Sequence, residues 1–127
     1  MNNNIALLIG RILLAAMFIM AGLMKFGGIA GTAGYIASKG LPAPTILAWL
    51  TAIFEVAAGV AILVGFQTKL ASYALAAFCI LAGFIFHFDP ADQVQFTMFL
   101  KNITIAGGFL ALSVAGAGSY SVDARRS

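Results

Sequence analysis

Charge is what this chain has least of. Only 9% of its 127 residues are Asp, Glu, Lys or Arg, and 62% are hydrophobic. A soluble domain carries about 25% charged residues. A small one has the largest surface to cover for its volume, and four carboxylates with seven Lys and Arg cannot cover it in water. Disorder is excluded by the same figures, because it needs low hydrophobicity and high net charge. A membrane protein remains, with room for at most four spans at ~20 residues each.

Cysteine and histidine are nearly absent too. Cys79 is the only cysteine and His87 the only histidine. One cysteine excludes an intrachain disulfide, a Cys-x-x-Cys redox pair and a cysteine-ligated cluster. One histidine excludes a bis-histidine haem held by a single chain. The net charge of +3 is scattered apart from Arg125 and Arg126. No basic stripe exists for nucleic acid to bind.

What is present in quantity is long apolar sequence. Four windows, 5–24, 47–66, 70–88 and 96–117, are apolar nearly throughout. Each has the length that a ~30 Å hydrocarbon core needs at 1.5 Å per residue. Barrel strands would alternate apolar and polar residues, and these windows do not. The first lacks a basic leader and holds Arg11 inside, so it reads as a retained helix rather than a signal peptide. The sequence therefore predicts an all-α integral membrane protein, a single domain built as a four-helix antiparallel bundle.

The connections differ in kind. Residues 26–46 form a glycine-rich loop whose centre, 32–39, has the makings of a short interfacial helix with Tyr35 at headgroup depth. Gln67, Thr68 and Lys69 make a tight turn, so the second and third spans must be antiparallel neighbours. Asp89-Pro90-Ala91-Asp92 reads as a turn, because proline bars its predecessor from α geometry. Gly107, Ala111 and Ala115, spaced four apart, predict a close helix contact.

Orientation follows from Lys and Arg counts. Lys69, Arg125 and Arg126 share the side of the termini, while Lys25, Lys39 and Lys101 lie on the other. Arg11 tips this balance toward cytoplasmic termini if it reaches to the terminal side.

Ionisable groups inside a bilayer are costly and usually face the bundle interior. Glu55 lies roughly 12 Å into its span, Lys101 roughly 8 Å in from the same membrane face and Arg11 roughly 9 Å in from the other. Helical spacing puts Arg11, Ala15, Phe18, Gly22 and Lys25 on one face, and Thr51, Glu55 and Gly59 on another. Lys101 and Asn102 stand one turn inside the fourth window. Three readings of Glu55 remain open: a structural ion pair with Arg11 or Lys101, a proton- or ligand-binding carboxylate, or an uncharged hydrogen-bonded group. His87 with Asp89 and Asp92 is only loosely compatible with a metal site, and an interfacial histidine is the simpler reading. Cys79 reads as a small packed apolar residue.

Several stretches are similar to one family. Arg11-Ile-Leu with Ala21-Gly-Leu-Met-Lys25-Phe resembles the first helix of the DoxX family, as do Glu55-Val-Ala-Ala-Gly59 and Leu63-Val-Gly65-Phe-Gln-Thr-Lys69. Phe99-Leu-Lys101-Asn102 through Gly107-Gly108, and Gly116-Ala-Gly118-Ser-Tyr-Ser-Val-Asp123, are the most specific part. Ala117 stands where many members have proline. The resemblance implies small bacterial inner-membrane proteins with four helices and both termini cytoplasmic. It also implies an association with quinone-linked redox or oxidative-stress assemblies.

Two functions stay open from the sequence. The first is a non-catalytic accessory subunit with no metal or covalent cofactor. Its polar pocket would comprise Glu55, Lys101, Asn102 and Lys25, with Arg11 in the same network and His87 as a weaker member. A quinone is the candidate ligand, and a redox protein or a second copy the candidate partner besides the lipid. The second is a small proton- or cation-coupled transporter working through Glu55.

Overall fold

The computed structural model describes residues 2–126. Six helices follow in order: α1 (Asn3–Phe26), α2 (Ile29–Ser38), α3 (Pro44–Val64), α4 (Thr68–Ala82, extended by a π-helical turn Gly83–His87), α5 (Gln93–Ala115) and α6 (Val122–Arg126). No strand occurs among the described residues. Four helices, with α4 and its π turn taken together, are long and apolar enough to cross a membrane. The chain is an all-α integral membrane protein.

The spans begin two or three residues before the apolar windows, at 3, 44, 68 and 93. Start signals explain this better than hydropathy does. The Asn2 side chain accepts from the Asn4 N–H. Pro44 opens α3, where its missing N–H and fixed φ suit a first helical position. The Asp92 carboxylate accepts from the Val94 and Gln95 N–H groups. In the 26–46 connection, α2 begins three residues earlier than the 32–39 expectation and runs Ile29–Ser38.

Packing proceeds around the ring in the order α1, α3, α4, α5. The closest approach is α1 against α3, built on glycine. A Cβ on Gly22 would sit 2.5 Å from Val56 Cγ2 and 2.9 Å from the Ala52 carbonyl oxygen, and one on Gly59 would sit 2.8 Å from Ile19 Cγ1. Small residues that let backbones meet are how membrane helices associate when burial from water contributes nothing. Ala15, Ala48 and Ala52 are fully buried in the same region. Phe18, Phe78 and Phe109 then fill the centre, with Phe18 5.6 Å from Phe109 and 6.4 Å from Phe78, ring centre to ring centre.

The small-residue stripe on α5 behaves otherwise. Gly107, Ala111 and Ala115 are exposed, and a Cβ on Gly107 would meet nothing within 4 Å. The expected close contact is not made there. The inward face of α5 carries Phe99, Ala106, Phe109, Leu112 and Ser113 instead, so bulk rather than smallness fills that seam.

At the terminal end the chain after α5 folds back across the bundle. Arg11, buried on α1, donates to the Ala117 carbonyl at 2.6 Å, the Leu63 carbonyl at 3.0 Å and the Tyr120 carbonyl at 2.9 and 3.0 Å. Asp123 accepts from the Gln67 and Thr68 N–H groups at 2.8 and 2.9 Å, which caps α4 from a distant segment, since Gln67 gives no side-chain cap of its own. Burial works to raise the Asp123 carboxyl, but these N–H donors and nearby Arg126 outweigh it and hold the group below its ordinary range. Gly65 makes the fold-back possible, with φ 72° and a Cβ position already taken by Ser121 Cβ.

Candidate functional site

Glu55 sits on the twelfth residue of the twenty-one in α3, roughly 16 Å along the helix and so near mid-span. It is 4% exposed. Its partner is Lys25, whose Nζ lies 2.7 Å from Glu55 Oε1. Lys25 is on the last turn of α1. Because α1 runs on to Phe26, Lys25 stays on the buried stripe of Arg11, Ala15, Phe18 and Gly22, and its chain reaches down to the carboxylate. The lysine remains 28% exposed and the glutamate side chain 5%, an unequal pair.

The expected pairing of Glu55 with Arg11 or Lys101 is not the one formed. Arg11 spends its donors on the orphan carbonyls at the end of α3 and beyond α5, at the opposite end of the bundle. Those acceptors have no intrahelical partner, and a five-donor guanidinium can satisfy several at once. Lys101 is exposed. It is one residue, about 100° of rotation, from Asn102, and α5 turns Asn102 rather than Lys101 inward.

The ion pair faces a cavity of about 600 Å³ in the half of the bundle nearer the 26–46 connection. Lys25, Glu55, Asn102, His87, Thr51 and Thr32 give it polar character, while Met17, Phe18, Met24, Phe78 and Phe86 supply apolar wall. Asn102 Nδ2 donates to the Cys79 carbonyl at 3.3 Å. His87 Nδ1 lies 2.8 Å from Gln95 Oε1, which fixes the ring at the cavity edge. Of the sequence candidates, therefore, Glu55, Lys25, Asn102 and His87 come together, and Arg11 and Lys101 stand apart.

Part of the cavity is roofed by α2. Ala33 and Ile36 of α2 bury against Ala48 of α3. The Tyr35 ring stacks on Phe86 with centres 5.4 Å apart and planes 26° from parallel, and the Tyr35 hydroxyl donates to the Phe86 carbonyl at 3.3 Å. Thr51 was legible as the residue one turn before Glu55. Phe86 was not, because the π turn shifts the helical period by one residue and carries no sequence signature of its own; such turns concentrate at functional sites.

Metal chemistry finds no cluster here. Among the described residues no three of His, Cys, Asp and Glu converge. Asp92 serves as the cap of α5, and Asp89 accepts from the Ala91 N–H, so the two carboxylates near His87 are engaged in turn geometry.

The DoxX family model matches residues 6–88. The chain is similar to the inner membrane protein YqjF of Escherichia coli strain K12, 41% identical over 95% of this chain and 92% of that one. It is likewise similar to the inner membrane protein YphA of the same organism, 36% identical over 95% of this chain and 90% of its relative. No solved structure matches the chain.

Proposed function

This chain belongs to the DoxX family of membrane proteins, and from that premise we propose that it is an inner-membrane ligand-binding subunit. The observation that carries this reading is the Lys25–Glu55 pair set in a cavity of about 600 Å³. A mostly apolar cavity with a few convergent polar groups is the usual form of a small-molecule site. The Lys25 ammonium can donate to a ligand carbonyl, the Asn102 amide carbonyl can accept from a hydroxyl, and Glu55 can take or give a proton. A quinone headgroup needs this set. The chain then serves as a non-catalytic member of a redox-linked assembly, with a redox protein supplying the turnover.

Orientation with both termini in the cytoplasm is part of the proposal. The Arg11 guanidinium is held at the terminal end by the Leu63, Ala117 and Tyr120 carbonyls. It therefore joins Lys69, Arg125 and Arg126 on that side, against Lys25, Lys39 and Lys101 on the other. The positive-inside rule places the richer side in the cytoplasm.

Binding is favoured over transport by the floor of the cavity. The rings of Phe18, Phe78 and Phe109 pack together below Glu55, and the fixed charge of Arg11 lies beyond. That arrangement opposes a cation path to the terminal side. The test is purification in lipid discs with extraction of bound small molecules, next to a liposome flux assay. Retained quinone that falls about tenfold in Asn102→Leu supports the reading. Glu55-dependent proton or cation flux without a partner would replace it with the transporter, and quinol oxidation by the isolated chain would refute the non-catalytic role.

A further inference from the structure

Three of the four seams around the helix ring are closed by direct packing: α1 with α3, α3 with α4, and α4 with α5. The fourth, α1 with α5, packs far less extensively. It touches near mid-span, where the Phe18 and Phe109 rings meet at 5.6 Å and Leu14 Cδ2 lies 3.7 Å from the Cβ position of Gly108. From there toward the 26–46 connection the cavity lies between these helices. Met17, Ala21, Met24 and Lys25 of α1 line one wall and Asn102 of α5 stands on the other. Met17 is 45% exposed and Met24 73%, and both are at membrane depth on a helix long enough to span. Methionine is the unbranched, adaptable side chain that can move aside for a guest. Toward the 26–46 connection, α2 and the Tyr35–Phe86 stack lie over part of the cavity.

We propose that the ligand enters this cavity sideways from the bilayer, through the α1–α5 seam between Met17 and Met24 on one side and Asn102 on the other. The ligand is then a membrane-borne amphiphile, a hydrogen-bonding ring or headgroup on one apolar chain. The head reaches Lys25 and Glu55, and the chain stays in the seam among lipid. This inference rests on the ligand-binding reading above and adds the route and the chemical class. Its physical content is that the chain never has to leave an apolar phase. A cavity open to water alone would leave the bound chain outside lipid, weakening binding about fourfold for each methylene left in water.

A second, smaller apolar groove of about 180 Å³ lies between α2, α3 and α4, and shares Ile36, Thr51, Phe78, Ala82 and Phe86 with the cavity wall. It is the competing seat for the chain, so the experiment must separate the two. In lipid discs holding the full chain, a dimethoxybenzoquinone with a decyl chain is compared with the same ring bearing a methyl, both counted as concentration within the lipid. A bound chain resting in the seam predicts affinities within about threefold of each other; a cavity open only to water, which would hold the bound chain there, predicts that the decyl form is weaker by more than about 100-fold. A diazirine at the chain tip, with adducts located by mass spectrometry, reads the route. Adducts on Met17, Met20, Met24 or Met98 that excess untagged decyl quinone competes away support the seam. Competed adducts on Leu81 or Ile85 move the chain to the smaller groove, and competed adducts on Thr32 or Tyr35 move it to the roof; either overturns the seam while the binding reading stands. Failure of both rings to bind at all overturns the binding reading and the seam with it.

Discussion

Breaking the Lys25–Glu55 pair from its two ends should cost unequal amounts. At 2.7 Å and an effective dielectric of ~20, the attraction is roughly 6 kcal/mol before desolvation is subtracted. Lys25→Met leaves a carboxylate that is 5% exposed with no counter-charge near mid-span, and removing one partner of a buried pair costs about 3–5 kcal/mol. Glu55→Gln leaves a lysine one residue from the end of α1 and 28% exposed. That chain can swing to the headgroups, so its loss should be about 1 kcal/mol. The double variant should fall within about 1 kcal/mol of Glu55→Gln, giving a coupling of about 2–6 kcal/mol by the cycle. The measurement is unfolding in mixed micelles, titrated with denaturing detergent and followed by circular dichroism. Strictly additive single losses, or Glu55→Gln as damaging as Lys25→Met, would refute the pairing and the depth assigned to its two ends.

Three further outcomes follow from the packing. Gly22→Ala forces a Cβ against the Ala52 carbonyl and Val56 and should cost about 1–3 kcal/mol, whereas Gly107→Ala meets open space and should gain up to about 1 kcal/mol of helix propensity; thermal unfolding of the two variants side by side checks the contrast. Arg11→Met should cost about 3 kcal/mol, because three carbonyls lose their donor at roughly 1–3 kcal/mol each and water reaches some of them; Arg11→Lys should recover less than half, since one ammonium cannot fan across three acceptors, as protease nicking of residues 116–126 would report. Asp123→Ala should loosen the start of α4 by about 1 kcal/mol at neutral pH. Because the folded carboxyl titrates below its unfolded value of 3.8, that contribution is present above about pH 4 and lost as pH falls through the lower folded value; amide exchange at Gln67 and Thr68, against the alanine variant, reads it.

The spans were legible because twenty apolar residues in a row leave no alternative to a membrane helix. The inward stripe of α1 was legible too, since Arg11, Ala15, Phe18 and Gly22 are buried at helical spacing. Partner choice was not. Depth along ideal helices put Arg11 and Lys101 within reach of Glu55, yet depth says nothing of competing acceptors, and carbonyls from residues 63, 117 and 120 are invisible until the chain folds back. Lys25 looked like the end of a helix and proved to be inside it. The stripe Gly107, Ala111, Ala115 has the spacing of a close contact, but spacing cannot say which face of α5 turns inward. The roof over the cavity escaped for a different reason: the stack of Tyr35 on Phe86 joins residues 51 apart, and only tertiary packing brings them together.

The grip of Arg11 on residues near the other end of the chain bears on how the protein is made. Its acceptor at Ala117 is 106 residues later in sequence. At a synthesis rate of roughly 5–20 residues per second, α1 is laid into the membrane some 5–20 s before that acceptor exists. During the interval the guanidinium has at most the Leu63 carbonyl, once α3 is made, and must otherwise be solvated by headgroups or water at the membrane face nearer the termini, which holds the first helix shallow until the last span arrives. Translation of residues 116–123 is therefore the event that lets α1 settle to its final depth, and the order of synthesis becomes a step in the assembly of the bundle.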